Sequence, residues 1–221
     1  NAVAALDIPE PAMEVIRERC AQTGARLITP DRSELEILEK PGLRGSRFRY
    51  RGQEYRLNLG GAYQVTNALT AIEALTCTGV TPAHIAMGIE RARIPARMEL
   101  LPGDILLDGG HNPQAARAVR SALEDSGYER RTAFIGMMNT KDHRAFLQEI
   151  LPCFDRVYFC DGFSEGEVPA EELRRISGLD GAEIFHSPRE ALKFARRDRE
   201  GGLMYFGGSF YFAAAVREYL V

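Results

Sequence analysis

"ILLDGGHNPQAA", residues 105–116, decides how this chain is read. An unbroken apolar run, Ile105 to Leu107, ends on Asp108; two glycines, His111 and Asn112 follow, and Pro113 stands where a helix would open. Apolar runs without alternation are strands buried on both faces, and proline suits the first turn of a helix. Ala115, Ala118, Val119, Ala122 and Leu123, offset by 0, 3, 4, 7 and 8, then draw one apolar stripe at helical period. The stretch predicts a strand, a polar turn and a helix.

The same unit recurs downstream. "AFIG", "VYFC", "EIF" and "LMYF", centred near Ile135, Tyr158, Ile184 and Tyr205, follow at intervals of roughly 20 to 30 residues, the length of a βαβ step. Buried strands alternating with helices give an α/β fold with a doubly wound, mostly parallel sheet. Upstream the pattern changes. "PAMEVIRERCAQTGARL" predicts a helix from Pro11 to Gly24 and then a short strand, and "SRFRYRGQEYRLNL" a half-exposed hairpin around "RGQE". "TNALTAIEALTCTG" is expected as a helix beginning near Thr66 or Asn67, with Val65, Ala68, Leu69, Ile72 and Leu75 on its stripe, and Thr81 and Pro82 open another. This first part reads as strand-poor and without a complete core, so residues 1–95 are expected to belong to a larger domain and 96–221 to form a second, with the break in "RIPARMELLPG".

Composition narrows the function classes. The chain has 221 residues, 45% hydrophobic, and a net charge of −3, with both signs interspersed. No basic field for nucleic acid and no polybasic stretch for a membrane is present, so small-molecule partners are expected. Cys20, Cys77, Cys153 and Cys160 form no CxxC pair and read as reduced thiols of a cytoplasmic protein. No apolar run approaches the ~20 residues of a membrane span. Asn1 and Ala2 are read as a cloning scar or as the interior of a longer gene.

Ligands of open α/β sheets bind beyond the carboxyl ends of the strands, where helix N-termini offer N–H groups to anions. "DGGHNP" occupies that position. Asp108 either holds ribose hydroxyls or a metal, or joins Asn112 in capping the helix; His111 and Asn112 can donate to phosphate or carboxylate. Arg97 either clamps phosphate in the same crevice or pairs at the surface with Glu99. Asn67 either contacts a nucleotide base or caps its helix. Lys141 and Asp142 lie past the second strand, in the crevice or at a solvated helix start. Ser209, after two glycines, makes a second anion nest, whereas His84, His143 and His186 read as structural. The chain has no GxGxxG fingerprint and no GxxxxGK[ST] phosphate loop.

The order of four stretches is more specific than any of them. "GAYQVTNALTAIEAL", "IPARMELLPGDILLDGGHNPQAA", "GMMNTKD" and "YFGGSFYFAAAVRE" resemble the second half of the folylpolyglutamate synthase and dihydrofolate synthase branch of the Mur ligase superfamily, from roughly Ala25 to Val221. That family carries Gly-x-His-Gln-x-x-Asn-Ala, Pro-Gly-Arg-x-Glu, Asp-Gly-Ala-His-Asn-Pro, Gly-x-x-x-Asp-Lys-Asp and Gly-Ser-Leu-Tyr-Leu in that order. The resemblance implies the end of a P-loop-type ATPase domain followed by a Rossmann-like domain. It also implies an ATP-dependent amide ligase of folate biosynthesis and one-carbon metabolism. A folate or dihydropteroate carboxylate takes the γ-phosphoryl group, and the amine of L-glutamate displaces phosphate from the acyl phosphate.

By the same resemblance Asn67 meets the nucleotide base, Arg97 the phosphates and Asp108 the ribose, His111 stands near the acyl phosphate and Ser209 holds glutamate. Departures are Tyr63 for the family's histidine, Ala96 and Gly110 for its glycine and alanine, and Thr140 for its first aspartate. "LEKPGLRG" matches a further family stretch only out of order and is read as coincidence. The family's phosphate loop, Mg2+ ligands and carbamylated lysine all precede the matched segment, so the isolated chain is expected not to turn over; separately, a monomer is expected. A nucleotide- or acidic-metabolite-binding module without catalysis is the alternative, and a ligase acting on a cell-wall precursor a further one.

Overall fold

Turns and caps written into the sequence set the first elements. The computed structural model describes residues 1–197 and 202–220, and the chain divides into two units, Asn1–Arg93 and Ile94–Val221. In the first, β1 (Ala2–Val3), α1 (Glu10–Thr23) and β2 (Leu27–Ile28) form a small parallel crossover. Gly24 ends α1 in the left-handed conformation, φ 67°, as its position predicted. An antiparallel sheet in the order β3 (Leu35–Gly42), β4 (Gly45–Tyr50), β5 (Gln53–Leu57) comes next, then α2 (Tyr63–Thr76) and α3 (Pro82–Arg91), capped by Thr81. The predicted hairpin is β4–β5, turned on Arg51 and Gly52, both at positive φ.

Three expectations for this unit are corrected. It is not strand-poor: β3 joins the expected hairpin in a three-stranded sheet, beside the β1–β2 pair. It has a core of its own, in which Phe48, Tyr50, Tyr55 and Leu57 meet Val65, Ala68, Leu69 and Ile72 of α2 and Ile85 and Ile89 of α3. And α2 starts at Tyr63 rather than at Thr66 or Asn67: its N-cap is Ala62, which makes no side-chain cap bond. Leu75, expected on the buried stripe, is exposed in the last turn.

The second unit follows the repeat read from the sequence. Its elements are β6 (Glu99–Leu101), β7 (Ile105–Asp108), α4 (Pro113–Glu124), β8 (Arg131–Ile135), α5 (His143–Ile150), β9 (Arg156–Cys160), α6 (Ala170–Ser177), β10 (Ile184–Phe185), α7 (Pro188–Arg197), β11 (Leu203–Gly207) and α8 (Phe210–Arg217). The six-stranded sheet runs β10-β9-β8-β11-β7-β6, parallel throughout except for β6 against β7. Ile105, Leu107, Phe134, Phe206 and their neighbours on one face pack with α7 and α8. The intervening residues point to the other face by the pleat, and α4 and α5 lie against each other. The buried stripe of α4 is Ala116, Val119, Ala122 and Leu123, with Ala115 only half-buried.

β11, last in the chain, inserts between β7 and β8. That makes a topological switch point, the place where an open parallel sheet leaves a crevice at its carboxyl edge. Asp108, Gly207 and Ile135 are in register there. No helix among the described residues is long and apolar enough to cross a membrane.

Candidate functional site at the carboxyl edge of the sheet

Asp108 closes β7 with its side chain turned inward, 3% exposed. Its Oδ2 accepts the Met98 N–H and its Oδ1 the Gly110 N–H, both at 2.9 Å. Burial pushes the carboxyl above its ordinary pKa, opposed by those two N–H groups and by the charges of Arg97 and His111. Gly109 N–H donates to Ala96 O at 2.7 Å. The connection 96–98 is thus fastened to the loop 108–110 from both ends, and it bends by placing Ala96 and Met98 at φ 53° and 45°. Left-handed conformations are unusual for residues with side chains, and Ala96 stands where the resembling family has glycine. Asp108 does not cap α4. Asn112 does, its Oδ1 accepting the Ala115 N–H at 2.9 Å. His111, half-buried between them, has Nδ1 at 3.3 Å from Gly109 O.

The two glycines let side chains close on the turn. A Cβ on Gly109 would lie 2.1 Å from Cδ2 of Phe210, and one on Gly110 would lie 2.5 Å from Oδ1 of Asp108. Phe210, resting on Gly109, in turn carries Arg97, whose guanidinium carbon is 4.9 Å from the ring centroid. That contact is a cation–π pair. The pairing of Arg97 with Glu99 weighed from sequence is not formed: Glu99 accepts from Arg217 Nε at 3.0 and 3.1 Å and from the Ala96 N–H at 2.9 Å. Ser209 is buried and caps α8, its Oγ accepting the Tyr211 N–H at 3.2 Å after Gly208 at φ 94°. Two helix N-termini, those of α4 and α8, therefore rise from adjacent strands beside an exposed guanidinium, an arrangement suited to an anion.

Arg97, Asp108, His111 and Ser209 come together at this one edge. Asn67 belongs to the other unit, on the second turn of α2, exposed, with Nδ2–H donating to Gln64 Oε1 at 3.0 Å. The residues that sequence reasoning missed are Phe210, the left-handed pair Ala96 and Met98, and Gln64. Ala96 left a trace as a departure from a glycine, and Gln64 as the match to the glutamine of the family's Gly-x-His-Gln-x-x-Asn-Ala. Asp142 caps α5, accepting the Ala145 N–H at 3.0 Å, with Lys141 half-buried next to it.

The remaining histidines have local partners: His84 with Thr81, His143 with the Met138 carbonyl, and His186 with Asp161 at 2.8 Å. The hydrogen bond to Asp161, then its charge, raises the His186 pKa above the ordinary 6.5. The folded chain holds that proton more tightly, so the contribution of this pair is complete below about 6.5 and is lost as pH rises through the folded value. NMR titration is expected to give His186 a higher pKa than an unfolded histidine, falling in Asp161→Asn; an unchanged value in that variant would remove Asp161 as the cause. The four cysteines are free thiols, three of them buried.

Residues 96–210 match the family described as Mur ligase, glutamate ligase domain. The chain is 28% identical over 233 residues to the folylpolyglutamate synthase of Lacticaseibacillus casei, covering 97% of this chain and 52% of the relative. Mycobacterium tuberculosis folylpolyglutamate synthase complexed with ADP and AMPPCP superposes with a TM-score of 0.83 at 21% identity, over 99% of this chain and 54% of that one. For E. coli FolC in complex with DHPP and ADP the values are 0.75 and 25%, over 94% and 50%. The chain spans about half the length of the relatives it matches.

Proposed function

This chain belongs to the Mur ligase family, and from that premise we propose that it supplies the nucleotide- and glutamate-handling half of an ATP-dependent ligase joining L-glutamate to a folate or dihydropteroate carboxylate. The carboxylate attacks the γ-phosphorus of ATP, and ADP leaves as the bridging P–O bond breaks. The amine of glutamate then attacks the acyl carbon, a tetrahedral intermediate forms, and inorganic phosphate departs while the nitrogen gives up a proton.

Each step gathers negative charge, and the edge residues answer it. Arg97 and the α4 and α8 N-termini offset phosphate charge, and His111 donates toward the acyl phosphate. Ser209 and its turn receive a glutamate carboxylate, Asp108 offers its remaining lone pairs to ribose hydroxyls, and Asn67 meets the base. The Mg2+ that accompanies ATP is assigned to residues outside this chain, with the main triphosphate ligands.

What supports the reading is the convergence of Arg97, Asp108, His111 and Ser209 at a switch point within the segment matched to the family. Calorimetric titration of the chain with ATP, with and without Mg2+, tests it. Binding is expected to be millimolar and weaker by about tenfold in Arg97→Ala, as for loss of one charge-assisted hydrogen bond. Micromolar binding would make the chain a nucleotide-binding module in its own right, and folate- and glutamate-dependent ADP release by the chain alone would overturn the assignment of phosphate ligands elsewhere.

A further inference from the structure

Gln64 has no task in the scheme above, and its surroundings give it one. Carboxamides are seldom fully buried, because both ends need hydrogen-bond partners. Gln64 is 2% exposed in the first turn of α2, next in sequence to Val65 of the core. Its Oε1 accepts an Nδ2–H of Asn67, three residues on, at 3.0 Å. Asn67 is exposed, and its Oδ1 accepts no hydrogen bond among the described residues.

While Gln64 presents Oε1, that bond sets which way the Asn67 amide faces. With one Nδ2–H committed to Gln64, the amide is left with Oδ1 as an acceptor and the second Nδ2–H as a donor, side by side. Adenine is the complementary base: N6–H donates to Oδ1 while N7 accepts from Nδ2–H. Guanine presents O6 and N7, two acceptors, so its O6 meets Oδ1. An unanchored amide escapes that conflict by turning its NH2 group toward both acceptors. One anchored by a buried partner does not.

We propose that Gln64 is a positioning residue that orients the Asn67 amide and so makes the nucleotide site selective for adenine over guanine. The proposal rests on the reading of Asn67 as the base contact, and its test separates the two. The side-chain amide resonances of Asn67 are followed by 15N NMR while the chain is titrated with ATP and, separately, with GTP. Wild type, Gln64→Met and Gln64→Glu are compared. Wild type is expected to favour ATP by at least about fivefold, the lower end of what a bidentate base contact discriminates. In Gln64→Met, close in volume but without the acceptor oxygen, the ratio falls toward one. Gln64→Glu offers an acceptor oxygen whether or not it is protonated and retains the preference.

An unchanged ratio in a folded Gln64→Met overturns the proposal and leaves Asn67 as the base contact. If Gln64→Met does not fold, Gln64→Glu decides: a retained preference supports the proposal and a lost one overturns it. An Asn67 resonance unmoved by any nucleotide in wild type overturns the base-contact reading, and the proposal with it.

Discussion

Asp108→Ala is expected to destabilise the second unit by about 2–4 kcal/mol. The substitution strands two buried donors, the N–H groups of Met98 and Gly110, and each orphaned donor costs about 1–3 kcal/mol. The sum is reduced because the variant no longer buries a carboxylate, a burial unfavourable enough to raise its pKa. The folded protein therefore holds the Asp108 proton to higher pH than the unfolded chain does. Wild type loses stability as pH rises from the ordinary carboxyl value of 3.8 through the folded value, and the gap to the alanine variant narrows over that window. Asp108→Asn, able to accept from only one of the two donors, is expected to fall between. Urea unfolding gives the total, and hydrogen exchange at the Met98 and Gly110 amides localises it. A loss under about 0.5 kcal/mol would mean that water replaces the carboxylate without penalty.

Gly45→Ala is expected to cost the first unit about 2–5 kcal/mol. Two effects add. At φ 104° a side chain brings about 1–2 kcal/mol of backbone strain. Its Cβ would also stand 1.9 Å from the Leu57 carbonyl oxygen, an overlap with paired backbone that adds about 1–3 kcal/mol. Gly24→Ala separates the two, because at φ 67° it has nothing within 4 Å of the added Cβ and should show the conformational part alone. Thermal melts of both variants measure the difference. Equal losses would show that the carbonyl of Leu57 moves aside freely.

Much of this fold was legible because its period is. The five apolar runs became β7 to β11, and Asn112 with Pro113 announced α4 as a cap and first turn do. β3 went unread for a physical reason. It is an edge strand whose register slips around Glu39 and Gly42, it carries Pro41, and no residue in it is fully buried, so it shows no alternation. The start of α2 was misplaced because Ala62 offers no capping side chain. At the candidate site, the residues on the turns could be named, but their partners could not. Met98 reaches Asp108 only through left-handed residues that no local propensity favours, Arg97 chooses Phe210 over the nearer Glu99, and Glu99 finds Arg217 across 118 positions. Such pairings belong to the tertiary fold.

The late arrival of β11 also has a bearing on how the protein is made. Synthesis delivers β7 and β8 well before the strand that separates them, and domains fold as units during translation. Until residues 203–207 leave the ribosome, both strands keep an open edge facing a gap the width of one strand, a configuration prone to wrong pairing. The carboxyl edge at Asp108 and Gly207 is assembled in the same event, so a nascent chain gains its candidate site and its sheet centre together or not at all.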